Sequence, residues 1–259
     1  MEAYINVMIF IFGIIFGSFF NVCIFRIPNN QSISNPPSHC YNCNTKLKPK
    51  DLIPILSWVF LKGKCSYCDS KISLRYPLIE LLTGILFVLV YKVYGMNFII
   101  INYLVLTSLL IIITFIDIDH YIIPDKIIIF GSLFAVIFNL TGKGISLLDS
   151  LAGAIICGGG MLLLINLIEL IVKKEVMGGG DIKLFFMIGL FLGVKLGLLT
   201  ILLSIYVGAI YGVIIIIYSN LKNIDYNSMI PYGPFISVGA FIAVICGTDI
   251  INWYMNLMI

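Results

Sequence analysis

The fold class this sequence predicts is an all-α polytopic membrane protein of about eight transmembrane helices, with a small cytoplasmic, cysteine-bearing loop subdomain between the first two. Three observations carry that prediction. Hydrophobic residues make up 60% of the 259 positions, charged residues only 11%, and mean hydropathy is +1.08, which excludes a soluble globular domain. The apolar residues fall in runs of bilayer-crossing length, about 17–25 residues each. The basic residues gather on one side of those runs.

The first run, 3–25, follows Met1-Glu2 without a basic region and is long and aromatic. A retained first helix is expected there, and not a cleavable signal. Further spans are expected at 77–96, 98–116, 127–141, 146–172, 183–194, 196–219 and 234–255. The runs at 127–141 and 183–194 are short, so tilted or re-entrant segments, and a total of seven spans, form the alternative. Three regions follow: 1–25 as the first transmembrane helix, 26–76 as a polar subdomain, and 77–259 as a helical membrane domain.

Orientation follows from Lys and Arg. Eight of the 16 basic residues, Arg26, Lys46, Lys48, Lys50, Lys62, Lys64, Lys71 and Arg75, lie between the first two spans. The positive-inside rule makes that loop cytoplasmic. Eight spans then place Lys126, Lys173, Lys174, Lys183 and Lys222 inside as well, with Lys92, Lys143 and Lys195 outside. Both chain ends are expected outside. The net charge of +3 makes no case for nucleic acid; its distribution reports topology, with contact to the lipid bilayer and its anionic headgroups. Glycines at four-residue spacing, Gly189/Gly193/Gly197 and Gly208/Gly212, are read as packing positions where helix backbones approach closely.

The polar segment carries Cys40-Tyr41-Asn42-Cys43 and Cys65-Ser66-Tyr67-Cys68. Two such pairs predict a structural zinc site with Cys40, Cys43, Cys65 and Cys68 as ligands. Four thiolates complete a tetrahedron and leave no open position for chemistry. A segment of this size builds little core, so a metal staple helps to fix it. Two disulfides, if the topology were inverted, or unligated thiols are the alternatives. His39 is a weaker candidate ligand, and Cys23, Cys157 and Cys246 lie in apolar runs where they pack.

Two aspartates stand at the edges of apolar runs, in Phe115-Ile116-Asp117-Ile118-Asp119 and in Gly178-Gly179-Gly180-Asp181-Ile182-Lys183. A carboxylate at the centre of a membrane helix costs roughly 2.5–3.5 kcal/mol on insertion scales, so its presence points to function. Two carboxylates brought close share a proton, one accepting from water while the other polarises a carbonyl. Asp119 is about 200° from Asp117 on a helix and cannot share its face. Asp125, after Pro124, reads as a first-turn or N-cap residue, and His120 as interfacial. Glu80 and Glu169 need partners. The glycines before Asp181 are read as allowing unusual backbone angles and a close approach. Intramembrane carboxylates also mark ion pathways, so an ion-coupled transporter using the same acids is the alternative function, and a non-enzymatic scaffold a further one.

Several blocks in order resemble the type IV prepilin peptidase family, bifunctional leader peptidases and N-methyltransferases of bacteria and Gly-x-Gly-Asp intramembrane aspartic proteases. They are Gly17-Ser18-Phe19-Phe20-Asn21-Val22 with Arg26-Ile27-Pro28, the two cysteine pairs with Pro54-Ile55-Leu56-Ser57-Trp58 and Gly63-Lys64-Cys65, and Arg75-Tyr76-Pro77-Leu78-Ile79-Glu80. Asp117-Ile118-Asp119 through Ile123-Pro124-Asp125, Gly178 through Leu184, and Pro231-Tyr232-Gly233-Pro234-Phe235 follow. The resemblance implies that 77–259 is a membrane aspartic peptidase domain with Asp117 and Asp181 as catalytic acids. It implies prepilin or pseudopilin substrates cut after a glycine at the cytoplasmic face of the bacterial inner membrane, for pili or protein secretion. It also implies methylation of the new N-terminus from S-adenosylmethionine. The methylating activity is associated with the N-terminal half, where Gly63 is a candidate by motif position. The first cysteine pair encloses Tyr-Asn where many relatives have Pro, and some relatives lack the cysteines, which implies a structural metal.

Overall fold

The computed structural model describes residues 2–174, 176–222 and 230–258. Among them the chain is helical, with isolated bridges His39–Lys46 and Lys64–Lys71 in place of strands. It divides into two compact units, Met1–Met96 and Asn97–Ile259.

In the first unit α1 (Glu2–Arg26) and α3 (Arg75–Tyr94) pack antiparallel. A Cβ added to Gly13 would come 2.8 Å from the Gly84 Cα, and one added to Gly17 would come 2.7 Å from the Glu80 Cα. Small residues four apart thus bring the two backbones together, with Phe12 and Phe16 against Phe87. Glu2 in the first turn and Arg26 in the last suit the helix dipole. Arg26 is 4% exposed and donates from Nη1 to the Ser32 and Ile33 carbonyls at 2.9 and 3.2 Å, folding the chain back after the helix. Between the two helices lie a 3-10 turn, Pro49–Leu52, and the short helix α2 (Leu56–Phe60).

The second unit is a bundle of α4 (Ile99–His120), α5 (Asp125–Leu140), α6 (Leu147–Ala154) continued through a π-turn into α7 (Gly160–Val172), α8 (Gly179–Lys222) and α9 (Gly233–Met258). Among the described residues six helices are long and apolar enough to cross a membrane: α1, α3, α4, the continuous α6–α7, α8 and α9. The 16-residue α5 is shorter. A straight α8 of 44 residues would run about 66 Å, twice the hydrocarbon thickness.

It is not straight. Gly193 takes φ 73° and ψ −170°, a backbone conformation open in practice only to glycine. A Cβ on Gly197 would sit 3.8 Å from the Gly189 Cα, although eight residues of straight helix climb about 12 Å. The chain therefore doubles back, and α8 is a hairpin of two arms. The break frees carbonyls that a continuous helix would satisfy, and in lipid each must find a donor. The Leu190 carbonyl accepts from Asn139 Nδ2 at 3.1 Å and Ser150 Oγ at 2.7 Å, and the Phe191 carbonyl from Asn102 Nδ2 at 3.4 Å. The Val194 N–H opening the second arm donates to Asp149 Oδ1 at 3.2 Å.

The first arm is the centre of the bundle. Leu184, Phe185, Met187, Ile188, Leu190, Phe191 and Leu192 are all buried, while Phe186 is exposed, so this helix is covered over most of its surface. Gly189 meets Gly153 backbone to backbone, as the four-residue glycine spacing suggests, and Gly197 meets Cys157. Gly193 is both a packing position, its backbone lying against Gly153, and the reversal point, a second role that spacing alone does not show. Gly212 faces open space. Gly193→Ala is expected to destabilise the protein by about 1–3 kcal/mol through backbone strain alone, seen as a lower melting temperature in detergent; an unchanged temperature would refute the hairpin.

Candidate active site

Asp117 sits in the last turn of α4. That helix stops where Tyr121 adopts a left-handed conformation, φ 55°, and returns its N–H to the Asp117 carbonyl at 2.9 Å; Pro124 follows and begins the next element. The Asp117 side chain is 5% exposed. Its Oδ2 accepts the backbone N–H of Gly233 at 2.8 Å. Gly233 is the first residue of α9, and a Cβ there would stand 2.7 Å from the same carboxylate oxygen. Only glycine lets the helix start come this close, and the N-terminal end of α9 places its positive dipole on the acid. Pro234 in the first turn removes a donor that no helical acceptor needs.

Asp181 occupies the first turn of α8, its N–H bonded to the Gly178 carbonyl at 3.1 Å, and is half-buried. The Asp117 and Asp181 carboxylates lie within electrostatic reach of each other. Tyr232 stands beside them: its hydroxyl bonds Ser204 Oγ at 3.3 Å, and burial together with the Asp181 charge pushes the phenol up, so it keeps its proton. Three helix ends, from α4, α8 and α9, thus converge at one end of the bundle.

The glycines before Asp181 act through size. None of Gly178, Gly179 and Gly180 adopts a positive φ, contrary to the expectation of unusual backbone angles. Gly180 lies against Ile123, which a Cβ would approach to 3.1 Å, while Gly179 meets open space. Asp119 and His120 are exposed, as the 200° offset of Asp119 from Asp117 requires. Asp125 opens α5 and pairs with Lys183 at 2.7 Å, both side chains exposed. Such a pair is worth about 0–1 kcal/mol, but it ties the start of α5 to the residue two beyond Asp181. Glu169 accepts the Val176 N–H at 3.0 Å. Glu80 accepts the Ile55 N–H at 2.7 Å.

In the first unit the sulfurs of Cys40, Cys43, Cys65 and Cys68 all lie within 4.8 Å of one another. Cys40 and Cys68 are 3.8 Å apart, near the edge of a tetrahedron with about 2.3 Å metal–sulfur bonds and far beyond an S–S bond of about 2.05 Å. All seven cysteines are free thiols. The two halves are built alike. Asn44 and Asp69, each next after the second cysteine of its pair, have φ 55°. Each donates its N–H back to the first cysteine's carbonyl, and the bridges His39–Lys46 and Lys64–Lys71 close the two loops. The backbone N–H groups of Cys43 and Asn42 hold the Cys40 thiol down, at about 6. Ser70 does the same for Cys68, through its hydroxyl and its N–H. The donor set fits a tetrahedral thiophilic metal such as zinc. His39 bonds the Pro37 carbonyl at 3.1 Å instead.

Gly63 has φ 69°, and a Cβ there would come 2.8 Å from the Trp58 ring, whose Nε1 donates to the Ile72 carbonyl at 3.1 Å. Gly63 thus lies directly against the Trp58 ring. The donor to Asp117 lies in the block Pro231-Tyr232-Gly233-Pro234-Phe235, where no side chain marks it. The signal was available: a lone glycine between Tyr and Pro at a helix start, where an acid elsewhere lacks a donor.

Two family models match the chain, the bacterial peptidase A24 N-terminal domain over residues 11–94 and the type IV leader peptidase family over residues 104–213. No solved structure matches it significantly. The prepilin leader peptidase/N-methyltransferase of Bacillus subtilis is 38% identical over 250 residues, covering 96% of this chain and 98% of that protein. Its namesake in Aeromonas hydrophila is 34% identical over 279 residues, covering 96% and 93%. In Pseudomonas aeruginosa a protein of the same name is 34% identical over 267 residues, covering 94% and 91%. With near-complete coverage at these identities, and with both acids and the cysteine loop inside the matched regions, the chain belongs to the type IV leader peptidase family.

Proposed function

We propose that this protein removes the leader from type IV prepilins or pseudopilins with Asp117 and Asp181 as its catalytic acids, and methylates the amine so exposed. The observation that carries the first activity is the convergence of two acids from separate helices at one end of an apolar bundle, one of them held by a helix N-terminus. We place eight spans across the bacterial cytoplasmic membrane, with α5 and the two arms of α8 counted separately. The cysteine loop and both acids then face the cytoplasm, the side on which 13 of the 16 basic residues fall.

A prepilin keeps a basic leader in the cytoplasm and an apolar helix in the membrane, so its scissile bond lies at the interface where the acids stand. One carboxylate takes a proton from water as the water oxygen attacks the scissile carbonyl carbon. The other, protonated, donates to the carbonyl oxygen. The tetrahedral intermediate collapses as the leaving amine is protonated. The Gly233 N–H occupies Asp117 Oδ2 and leaves Oδ1 to address the water. Ionic Asp125–Lys183 keeps the first turn of α8 against α5, and so holds Asp181 in register.

The four cysteines bind zinc as a structural ion, and S-adenosylmethionine supplies the methyl group. The region 26–76 is the zinc-binding subdomain and 77–259 the peptidase domain.

Asp117→Asn and Asp181→Asn are each expected to reduce leader cleavage by about 10²–10⁴-fold, measured with purified prepilin in detergent, while methylation of pre-cleaved pilin persists. Full cleavage by either variant would refute the acid pair. Gly233→Ala keeps the backbone N–H, but its Cβ would strike the Asp117 carboxylate and displace it from that donor, so cleavage should fall about tenfold or more; wild-type rates would mean that this contact is incidental. Cys43→Ser together with Cys68→Ser should abolish bound zinc, read by elemental analysis, and make residues 27–74 sensitive to protease. Protease resistance without metal would show that the loop stands by itself.

A further inference from the structure

A cavity of about 610 Å³ opens in the first unit where the C-terminal end of α1 and the start of α3 meet the cysteine loops. It is well within the range of small-molecule sites, about 300–1,000 Å³. None of the peptidase residues lines it. We infer that this cavity is the binding site for the methyl donor, S-adenosylmethionine; the inference rests on the methyl-transfer reading above.

The chemistry of the walls fits such a ligand. Tyr41, Trp58 and Tyr76 line the cavity and offer aromatic faces to an adenine ring and to a sulfonium cation. Glu80, 6% exposed, brings a negative charge that suits an ammonium group or a ribose diol. Asn21 donates to the Tyr76 carbonyl at 3.1 Å and brings its side-chain oxygen as an acceptor, and Lys71 adds a cation for a carboxylate. A lipid tail would need no such charges, and a bare anion would not need three rings.

The walls are also fixed in place. Glu80 accepts the Ile55 N–H at 2.7 Å and a hydrogen bond from Ser18. Ile55 has φ 60°, a genuine outlier for a β-branched residue, and the carboxylate holds it there. That strained residue starts α2, which carries Trp58. Trp58 in turn is held by Ile72 and backed by Gly63. Asp51 accepts from Ser66 at 2.9 Å and Tyr67 at 2.8 Å, joining the wall to the second cysteine loop. Cys40 and Cys65 lie in the lining, so folding of the metal loops and formation of the cavity are one event.

The donor supplies an electrophilic methyl on a positively charged sulfur. The acceptor amine attacks that carbon and forms the N–C bond. The S–C bond breaks with its electron pair returning to sulfur, which becomes a neutral thioether, and the amine proton passes to water. The cavity stands at the loop ends of α1 and α3, on the side that the positive-inside count makes cytoplasmic.

The test uses the full-length protein in detergent, with isothermal titration of S-adenosylmethionine and of its unreactive analogue sinefungin. Glu80→Gln keeps an oxygen for the Ile55 N–H while removing the charge; Val22→Phe, from the α1 wall, fills the cavity and removes no polar group. Both variants should bind the donor and the analogue about tenfold or more weakly, with leader cleavage within about twofold of wild type and zinc content unchanged. Unchanged affinity in either variant would overturn the site, and so would joint loss of donor binding and leader cleavage, which would mark a global effect. A wild-type protein that methylates pilin while both variants bind normally would place the donor elsewhere and leave the methyl-transfer reading intact. A wild-type protein that binds no donor would sink that reading and the site with it.

Discussion

A carboxylate surrounded by hydrocarbon must be given a donor, and the Asp117–Gly233 hydrogen bond meets that demand. Its geometry constrains much of the second unit. The donor is a backbone N–H at the first residue of a helix, so α9 must begin at one height and one rotation against α4. The position must be glycine because a Cβ would strike the acid. Water could satisfy the same oxygen, but water offers no fixed direction. A preorganised dipole costs nothing to reorient when charge shifts during a reaction.

A second demand of the same kind shapes the far end of the bundle. The reversal at Gly193 strands carbonyls in the apolar core, and the polar side chains of Asn102, Asn139 and Ser150 converge on them. These residues are fully or almost fully buried. They permit the tight hairpin that puts a short arm, apolar from Leu184 to Leu192, at the bundle's centre. Asp181 heads that arm. The position of one acid therefore depends on hydrogen bonds made at the opposite end of the helix that carries it.

What could be read from the residues followed from strong physical penalties. Runs of apolar side chains announce helices that can cross a bilayer, and the structure contains them. The two cysteine pairs announce a metal-binding cluster, and the four sulfurs converge. Asp117 and Asp181 stood out because carboxylates are costly where they lie. The partners of those acids were not legible, since a backbone N–H donor such as that of Gly233 carries no side-chain signature. The reversal at Gly193 was equally hidden. A glycine at four-residue spacing signals close packing as readily as a turn, and only the third dimension separates the two. The contact of Gly63 with the Trp58 ring was hidden in the same way. The likeness of the two cysteine loops, each with a left-handed Asn or Asp after its second cysteine, was present in His39–Lys46 and Lys64–Lys71 but too short to stand out as a repeat.

The buried first arm of α8 also bears on how the protein enters its membrane. From Gly179 to Leu192 it spans about 20 Å at 1.5 Å per residue, too little for the insertion machinery to accept as an autonomous segment. The second arm is long and its apolar side chains face outward. The two are joined without a loop, so the short arm can be delivered only as the passenger of the long one, as a preformed hairpin with Lys195 near its tip. Asp181 therefore reaches its place at the head of an arm whose insertion depends on the longer arm joined to it.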